Sequence, residues 1–325
     1  MKWLIGKTQI NGPVVLAPMA GVTSFAYRNF MKKFGADVVV SEMVSDMGLI
    51  YQNEQTIEYL KSSNFERPFG IQLFGYDKEN ILKAAKIIAK TAPNYDFIDL
   101  NLGCPVPKVT RNGAGSALLK DPKKIGQIVK LLVDNIDVPV TAKIRLGIDD
   151  EHINFLEVIK ELEDNGISMI AIHARTTKQL YSGKPNWDLL KGLGKKMKVP
   201  LIVSGDIYTL KDAVNAIDIT NATGVMVARG GVGNPRLVSQ ISEYYKTGIK
   251  LPDASKEEQC VYALELAKML ISEKGEETAM RVYRSIGPKF FQGFANSKNI
   301  RTEIATKITT YKELEEAVKT FKDTI

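Results

Sequence analysis

DFIDLNL (96–102), DPKKIGQIVKLLV (121–133) and VPVTAKIR (138–145) are three pieces of one stretch, and they decide the fold. The first and last are short runs of apolar and β-branched residues, the pattern of strands buried on both faces. The middle piece opens with Asp121 and Pro122, an N-cap followed by the favoured first-turn proline. It then carries Ile125, Ile128, Val129 and Leu132 at helical spacing. The stretch therefore reads as strand, helix, strand.

Outward from this unit the pattern repeats. Further apolar runs lie at 13–18, 36–42, 68–74, 168–174, 199–204 and 223–228, with helical patterns at 77–91, 150–165 and 208–217. Eight strands, each followed by a helix, in about 235 residues match a (β/α)₈ barrel of typically ~250 residues. A doubly wound open sheet would carry a G-x-G-x-x-G turn after its first strand. Here that strand runs into Ala17-Pro18-Met19-Ala20-Gly21. The predicted fold is an α/β TIM barrel over residues 1–248, followed by a small all-helical domain over 254–325. Leu251-Pro252-Asp253-Ala254 reads as the linker, and Ser255 with Glu258 as a capping box. Gly275 is a stop, and further helices are expected over 278–291 and 300–321.

Composition limits the function. The 325 residues hold 44 Lys+Arg and 37 Asp+Glu, a net charge of +7 that points to an anionic partner. Two cysteines and two histidines, far apart, exclude a disulfide scaffold and make no metal centre. No apolar run reaches the roughly 20 residues a membrane helix needs, and no leader or lipidation box is visible. A cytoplasmic, membrane-free monomer is expected.

Active sites of such barrels sit at the C-terminal ends of the strands. The residues there are unusually polar: Glu42, Gln72, Asn101, Lys143, Arg145, His173, Arg175, Ser204, Asp206 and Arg229. Strand alternation puts Lys143 and Arg145 on one face, and His173 with Arg175. Ser204-Gly205-Asp206 and Ala228-Arg229-Gly230 follow the seventh and eighth strands, the usual phosphate-binding place of this fold. Asn234 and Pro235 are read as the start of the next helix. Cys104 lies just past the fourth strand end, between Gly103 and Pro105, where a thiol can act as a proton donor. Cys260 lies inside an apolar helix and is assigned to the core.

These motifs together resemble the tRNA-dihydrouridine synthase family, closest to its bacterial B-type branch. The matching stretches are LAPMAGVTSFAYR (16–28), SEMVS (41–45), FGIQLFG (69–75), DLNLGCPVPKVTRNGAGSALL (99–119), TAKIRLG (141–147), HARTTKQLYSGKPNW (173–187), SGDI (204–207) and ARGGVGNP (228–235). The resemblance implies an FMN enzyme that reduces the uracil double bond of tRNA uridines to 5,6-dihydrouridine, with NADPH or NADH as reductant. By the same likeness, Pro18, Met19 and Ala20 run along the flavin ring and Gln72 hydrogen-bonds it. Lys143 and His173 meet the ring, ribityl chain or phosphate. Ser204, Gly205, Asp206, Ala228, Arg229 and Gly230 cradle the phosphate. Asn101 lies near the target uracil, and Cys104 is the proton donor. Arg145, Arg175 and Tyr181 face RNA or the flipped base. Ser204 and Ala228 stand where the family has Asn and Gly.

A basic patch supports an RNA partner. Residues 280–312 carry seven basic residues, among them Arg281, Arg284, Lys289, Lys298 and Arg301, against Glu303 alone, so most of the net charge lies there. The interleaved Tyr283, Phe290, Phe291 and Phe294 are expected to be helical core. Three alternatives remain open on the residues: an FMN barrel acting on a free pyrimidine, an aldolase using Lys143 as a Schiff base, and a non-catalytic RNA-binding protein.

Overall fold

In the computed structural model, which describes residues 1–92 and 94–323, eight parallel strands close on themselves. An N-terminal hairpin, β1 (Trp3–Ile5) and β2 (Thr8–Ile10), precedes β3 (Val14–Leu16) and β4 (Val38–Val40). The short β5 (Val44–Ser45) comes before β6 (Phe69–Phe74), β7 (Phe97–Leu102) and β8 (Val140–Arg145). The remaining strands are β9 (Ile170–His173), β10 (Leu201–Ser204) and β11 (Gly224–Val227). Around the barrel the order is β3, β4, β6, β7, β8, β9, β10, β11, with β11 pairing back onto β3. β5 only extends the upper end of β6, pairing Val44 with Leu73.

Helices follow most strands: α1 (Phe25–Lys33), α2 (Asp46–Ile50), α3 (Glu54–Glu58), α4 (Lys78–Thr91), α5 (Pro107–Thr110), α6 (Pro122–Val133), α7 (Phe155–Asp164), α8 (Leu210–Thr220) and α9 (Arg236–Thr247). The expectation of a helix after every strand fails once. Between β9 and β10 only 3₁₀ turns occur, at Asp188–Leu190 and Leu193–Lys195. Gly183, Pro185, Gly192 and Gly194 punctuate that segment, and it has no apolar helical stripe. The helix expected at 150–165 begins only at Phe155. Ahead of it, the Asp149 carboxylate accepts from the amides of Glu151 and His152 and holds a turn. The last barrel helix starts after Pro235 rather than at Asn234.

Beyond α9, Gly248 takes a left-handed φ of 78° and residues 249–255 form no regular element. The capping box then opens α10 (Lys256–Lys274), which Gly275 ends. α11 (Glu276–Ile286) tightens into a 3₁₀ turn over Gly287–Phe291, where Pro288 supplies no N–H for an α-helix. The helix expected at 300–321 is two helices, α12 (Lys298–Thr306) and α13 (Tyr311–Asp323). Glu313 explains the break, because its carboxylate accepts from the Thr309 and Thr310 amides and caps α13.

Two apolar layers hold the fold. Inside the barrel, Trp3, Ile5 and Ile10 of the hairpin plug the lower end against Val15, Val38, Met169 and Met226. The outer layer lies between strands and helices and continues without a break into the C-terminal helices. Phe30 of α1 meets Phe290 edge-on at 6.3 Å, and Phe34 meets Tyr262 at 4.8 Å. Cys260, Tyr283, Phe290 and Phe291 are buried in this layer, and Phe294 is half-buried against it. Glu273 of α10 accepts from Ser24 Oγ and the Ala26 amide, both at 2.8 Å, and so caps α1 from the helical region. Among the described residues, no helix is long and apolar enough to cross a membrane, and no three or more His, Cys, Asp or Glu side chains are grouped so as to hold a metal ion.

Candidate active site

Strand register builds the site in levels. Gln72, Asp99 and Thr141 share one level of β6, β7 and β8. Asn101 and Lys143 stand two residues further up, and Arg145, His173 and Ser204 form the level above. Above them the strand ends surround a cavity of about 410 Å³. Every barrel residue expected to bind flavin or substrate, or to give the proton, lines it except Arg175. Glu42, polar and at a strand end, instead turns to the Gly21 amide, from which its carboxylate accepts at 2.6 Å.

Polar groups on the floor are chained. Thr141 Oγ1 and Gln72 Nε2 both donate to the Asp99 carboxylate, at 2.6 and 2.7 Å. Asn101 Nδ2 donates to Gln72 Oε1 at 2.8 Å. Asn101 Oδ1 accepts from the amides of Gly103 and Cys104 at 3.2 and 2.9 Å. Burial holds the Asp99 carboxyl above the usual range, against the two hydrogen bonds and the charge of Lys143.

The Cys104 loop is clamped from three sides. Asn101 holds its start, and Arg145 Nε donates to Gly103 O at 2.8 Å. The Ser116 amide donates to Cys104 O at 3.0 Å. Gly115 must be glycine there, since its φ is 60° and a Cβ would sit 2.8 Å from Cys104 O. Cys104 itself is half-buried and lines the cavity.

Lys143 is half-buried, and among the described residues its ammonium makes no hydrogen bond or ion pair. Burial and the neighbouring Arg145 push its ammonium down to about 8. His173 is kept neutral by burial and by the cationic field of Lys143, Arg145, Arg175 and Arg229. Arg175 Nη1 lies 3.3 Å from His173 Nε2, which makes Nε2 the acceptor and puts the ring proton on Nδ1.

Of the two arginines that the resemblance places facing RNA or the flipped base, Arg145 lines the cavity and Arg175 does not. Arg145 is 2% exposed and gives its guanidinium to the carbonyls of Gly103, Thr176 and Leu180. Arg175 is fully buried, outside the cavity lining, and binds Ser182 O, Gly183 O and Asp206. Both are clamps that hold the 176–183 loop over the barrel. Sequence shows a charge at a strand end but not the carbonyls that will surround it. Tyr181, on that loop, is exposed at the mouth, with Arg229 4.8 Å and Arg145 5.6 Å from its ring centre.

Asp206 joins the two upper loops. Its carboxylate pairs with Arg175 at 2.5 Å and with Arg229 at 2.9 Å. Burial raises that carboxyl, but the two arginines outweigh it and hold it below the usual range. The amides of Gly205, Asp206, Arg229 and Gly230 donate to no group among the described residues. Gly230 allows the loops to touch, because a Cβ there would lie 1.9 Å from Ile207 O. Four free amides at two strand ends make an anion-binding cradle.

The basic residues expected to hold RNA lie outside the cavity, on α11, the 3₁₀ turn and α12. Lys289 and Lys298 are exposed, and Arg281 is exposed and paired with Glu277 at 2.7 Å. Arg284 and Arg301 are half-buried. Sequence reasoning missed Asp99, although it stands in the DLNLGCP stretch, because it lies inside a strand and not at its end. It also missed Met43 and Tyr208, which line the cavity although the first stands inside the SEMVS motif and the second one residue past SGDI.

Comparison with known proteins agrees with this geometry. A family model described as dihydrouridine synthase matches residues 15–325. A probable tRNA-dihydrouridine synthase of Rickettsia bellii is 35% identical over 298 residues, covering 91% of each chain. One of Aquifex aeolicus is 36% identical, over 90% of this chain and 91% of that one. The tRNA-dihydrouridine synthase B of Shewanella oneidensis is 34% identical over 86% of each. Among solved structures, the old yellow enzyme homologue of Zymomonas mobilis shares the fold, with a TM-score of 0.53 at 13% identity, over 78% of this chain and 94% of that one. The barrel, its strand-end site and a match that runs from the first barrel strand to the last helix agree: the chain belongs to the dihydrouridine synthase family of oxidoreductases.

Proposed function

We propose that this protein is an FMN-dependent tRNA-dihydrouridine synthase that uses NADPH or NADH and takes its proton from Cys104. The observation that carries the reading is the juxtaposition of a clamped Cys104 with a free-amide cradle across one cavity. The residues fit FMN: the four free amides and Arg229 suit its phosphate, and the apolar Pro18–Ala20 wall and the Gln72 amide suit its ring. When bound, FMN supplies the hydride for one carbon of the uracil double bond.

The chain's own residues do the rest. Cys104 Sγ gives its proton to the adjacent carbon and is left as a thiolate, which water reprotonates. Lys143 and Arg145 both lie within the electrostatic reach of Cys104 and stabilise that thiolate. Tyr181 offers a stacking face for an extruded base, whose unstacking costs a few kcal/mol. The exposed lysines of the helical region hold tRNA phosphates.

Two expected results follow from named groups. FMN affinity of the apoprotein falls as pH rises through about 8, where the Lys143 ammonium loses its proton. Lys143→Met flattens that profile, as measured by fluorescence titration. Replacing Lys289 and Lys298 by Ala makes the dependence of log affinity for tRNA on log salt shallower, by about 0.7–0.9 for each phosphate that the lysines had neutralised. The function is tested by supplying FMN-loaded protein and NADPH with tRNA or free uracil. Turnover of tRNA alone supports it, and comparable turnover of free uracil points to a free-pyrimidine enzyme.

A further inference from the structure

The hydrogen-bond chain on the cavity floor admits only one direction. At its upper end stand two backbone amides, Gly103 and Cys104, which can only donate. Asn101 must therefore turn its oxygen toward them and its Nδ2 toward Gln72. Gln72 must then accept with Oε1 and point Nε2 away, and the group that receives Nε2 is the Asp99 carboxylate. Thr141 Oγ1 occupies the other oxygen of Asp99. Asp99 is 1% exposed and does not line the cavity. An apolar residue there would leave a buried amide N–H without a partner.

We propose that Asp99 is a positioning residue that sets the polarity of the cavity floor. Asn101 Oδ1 is saturated by its two backbone donors, so Asn101 shows the cavity only its second N–H. Gln72 has one N–H left as well. The floor thus offers two N–H donors beside one remaining lone pair of Gln72 Oε1, and it favours ligand edges on which carbonyl oxygens flank an N–H, such as the imide edge of a flavin or a uracil. The same chain fixes the height of the Cys104 loop, so one buried carboxylate orients both the ligand edge and the thiol. This inference deepens the function proposed above and rests on it for the identity of the ligand.

Asp99→Asn separates direction from charge. Its Oδ1 still accepts from Gln72, and its Nδ2 donates to Thr141 Oγ1, whose hydroxyl can turn. Asp99→Leu breaks the chain, and Asp99→Ser, too short to reach Gln72, replaces it if the leucine variant fails to fold. The readouts are FMN affinity, the absorbance maximum of bound flavin, and the rate at which iodoacetamide alkylates Cys104, Cys260 being buried. Asp99→Asn is expected to stay within threefold of the parent on both affinity and alkylation. The leucine or serine variant is expected to lose at least tenfold in FMN affinity, shift the flavin spectrum and alter the alkylation rate several-fold. Parent-like behaviour of the leucine or serine variant overturns the proposal, as does an asparagine variant that loses as much as they do. A parent protein that binds no FMN refutes the functional reading instead, and the alkylation rates still decide the positioning role.

Discussion

Cys104→Ala is expected to keep FMN and tRNA binding and to lose dihydrouridine formation by about 100- to 10,000-fold, the usual contribution of a positioned general acid. The side chain is half-buried at the cavity wall and bears none of the fold. Its loop is held by main-chain bonds to Asn101, Arg145 and Ser116, and an alanine leaves all of them in place. Binding and chemistry should therefore separate, with kcat falling and the tRNA KM nearly constant. Single-turnover reduction of tRNA by prereduced enzyme measures the step. An alanine variant that forms dihydrouridine at the parent rate removes Cys104 from the mechanism.

Glu66→Ala is expected to destabilise the protein by about 3–5 kcal/mol, the penalty for leaving a buried charge unpaired. Arg28 is 2% exposed and Glu66 fully buried, with Nε to Oε2 at 2.7 Å and Nη2 to Oε1 at 3.3 Å. The remaining Arg28 donors bind Thr23 O and Lys61 O, and its guanidinium lies 4.5 Å from the centre of the Phe69 ring. One buried cation thus ties the cavity-lining loop before α1 to the segment before β6. Urea denaturation measures the loss as a lower midpoint. Loosening of the 19–24 loop should weaken FMN binding as well, since Met19 and Ala20 line the cavity.

Most of the barrel was legible because its strands are short runs of Val, Ile and Leu, such as Val38–Val40 and Leu201–Ser204, whose ends fall within two residues of the reading. The capping box at Ser255 and the stop at Gly275 were equally plain. What stayed hidden was non-local. The Trp3–Ile10 hairpin plugs the barrel by packing against strands far along the chain, and three-residue strands carry little periodicity of their own. Asp99 looked like an ordinary residue of a strand, because its role depends on Gln72 and Thr141 arriving on either side. Arg145 and Arg175 were placed correctly on strand β8 and just past β9, but their guanidinium partners come from the irregular 176–183 loop, which no period describes. The helix missing after β9 is the other side of the same fact: that segment forms the loop that carries Tyr181 to the mouth.

The cavity is proposed to reduce uridine in tRNA. The most direct measurement incubates FMN-loaded protein and NADPH with tRNA from cells that lack this protein, and follows dihydrouridine by nucleoside mass spectrometry. Dihydrouridine is expected to appear at one or more defined positions, and Cys104→Ala to suppress it. A flavin-loaded, NADPH-reduced protein that leaves that tRNA unchanged would contradict the proposed function.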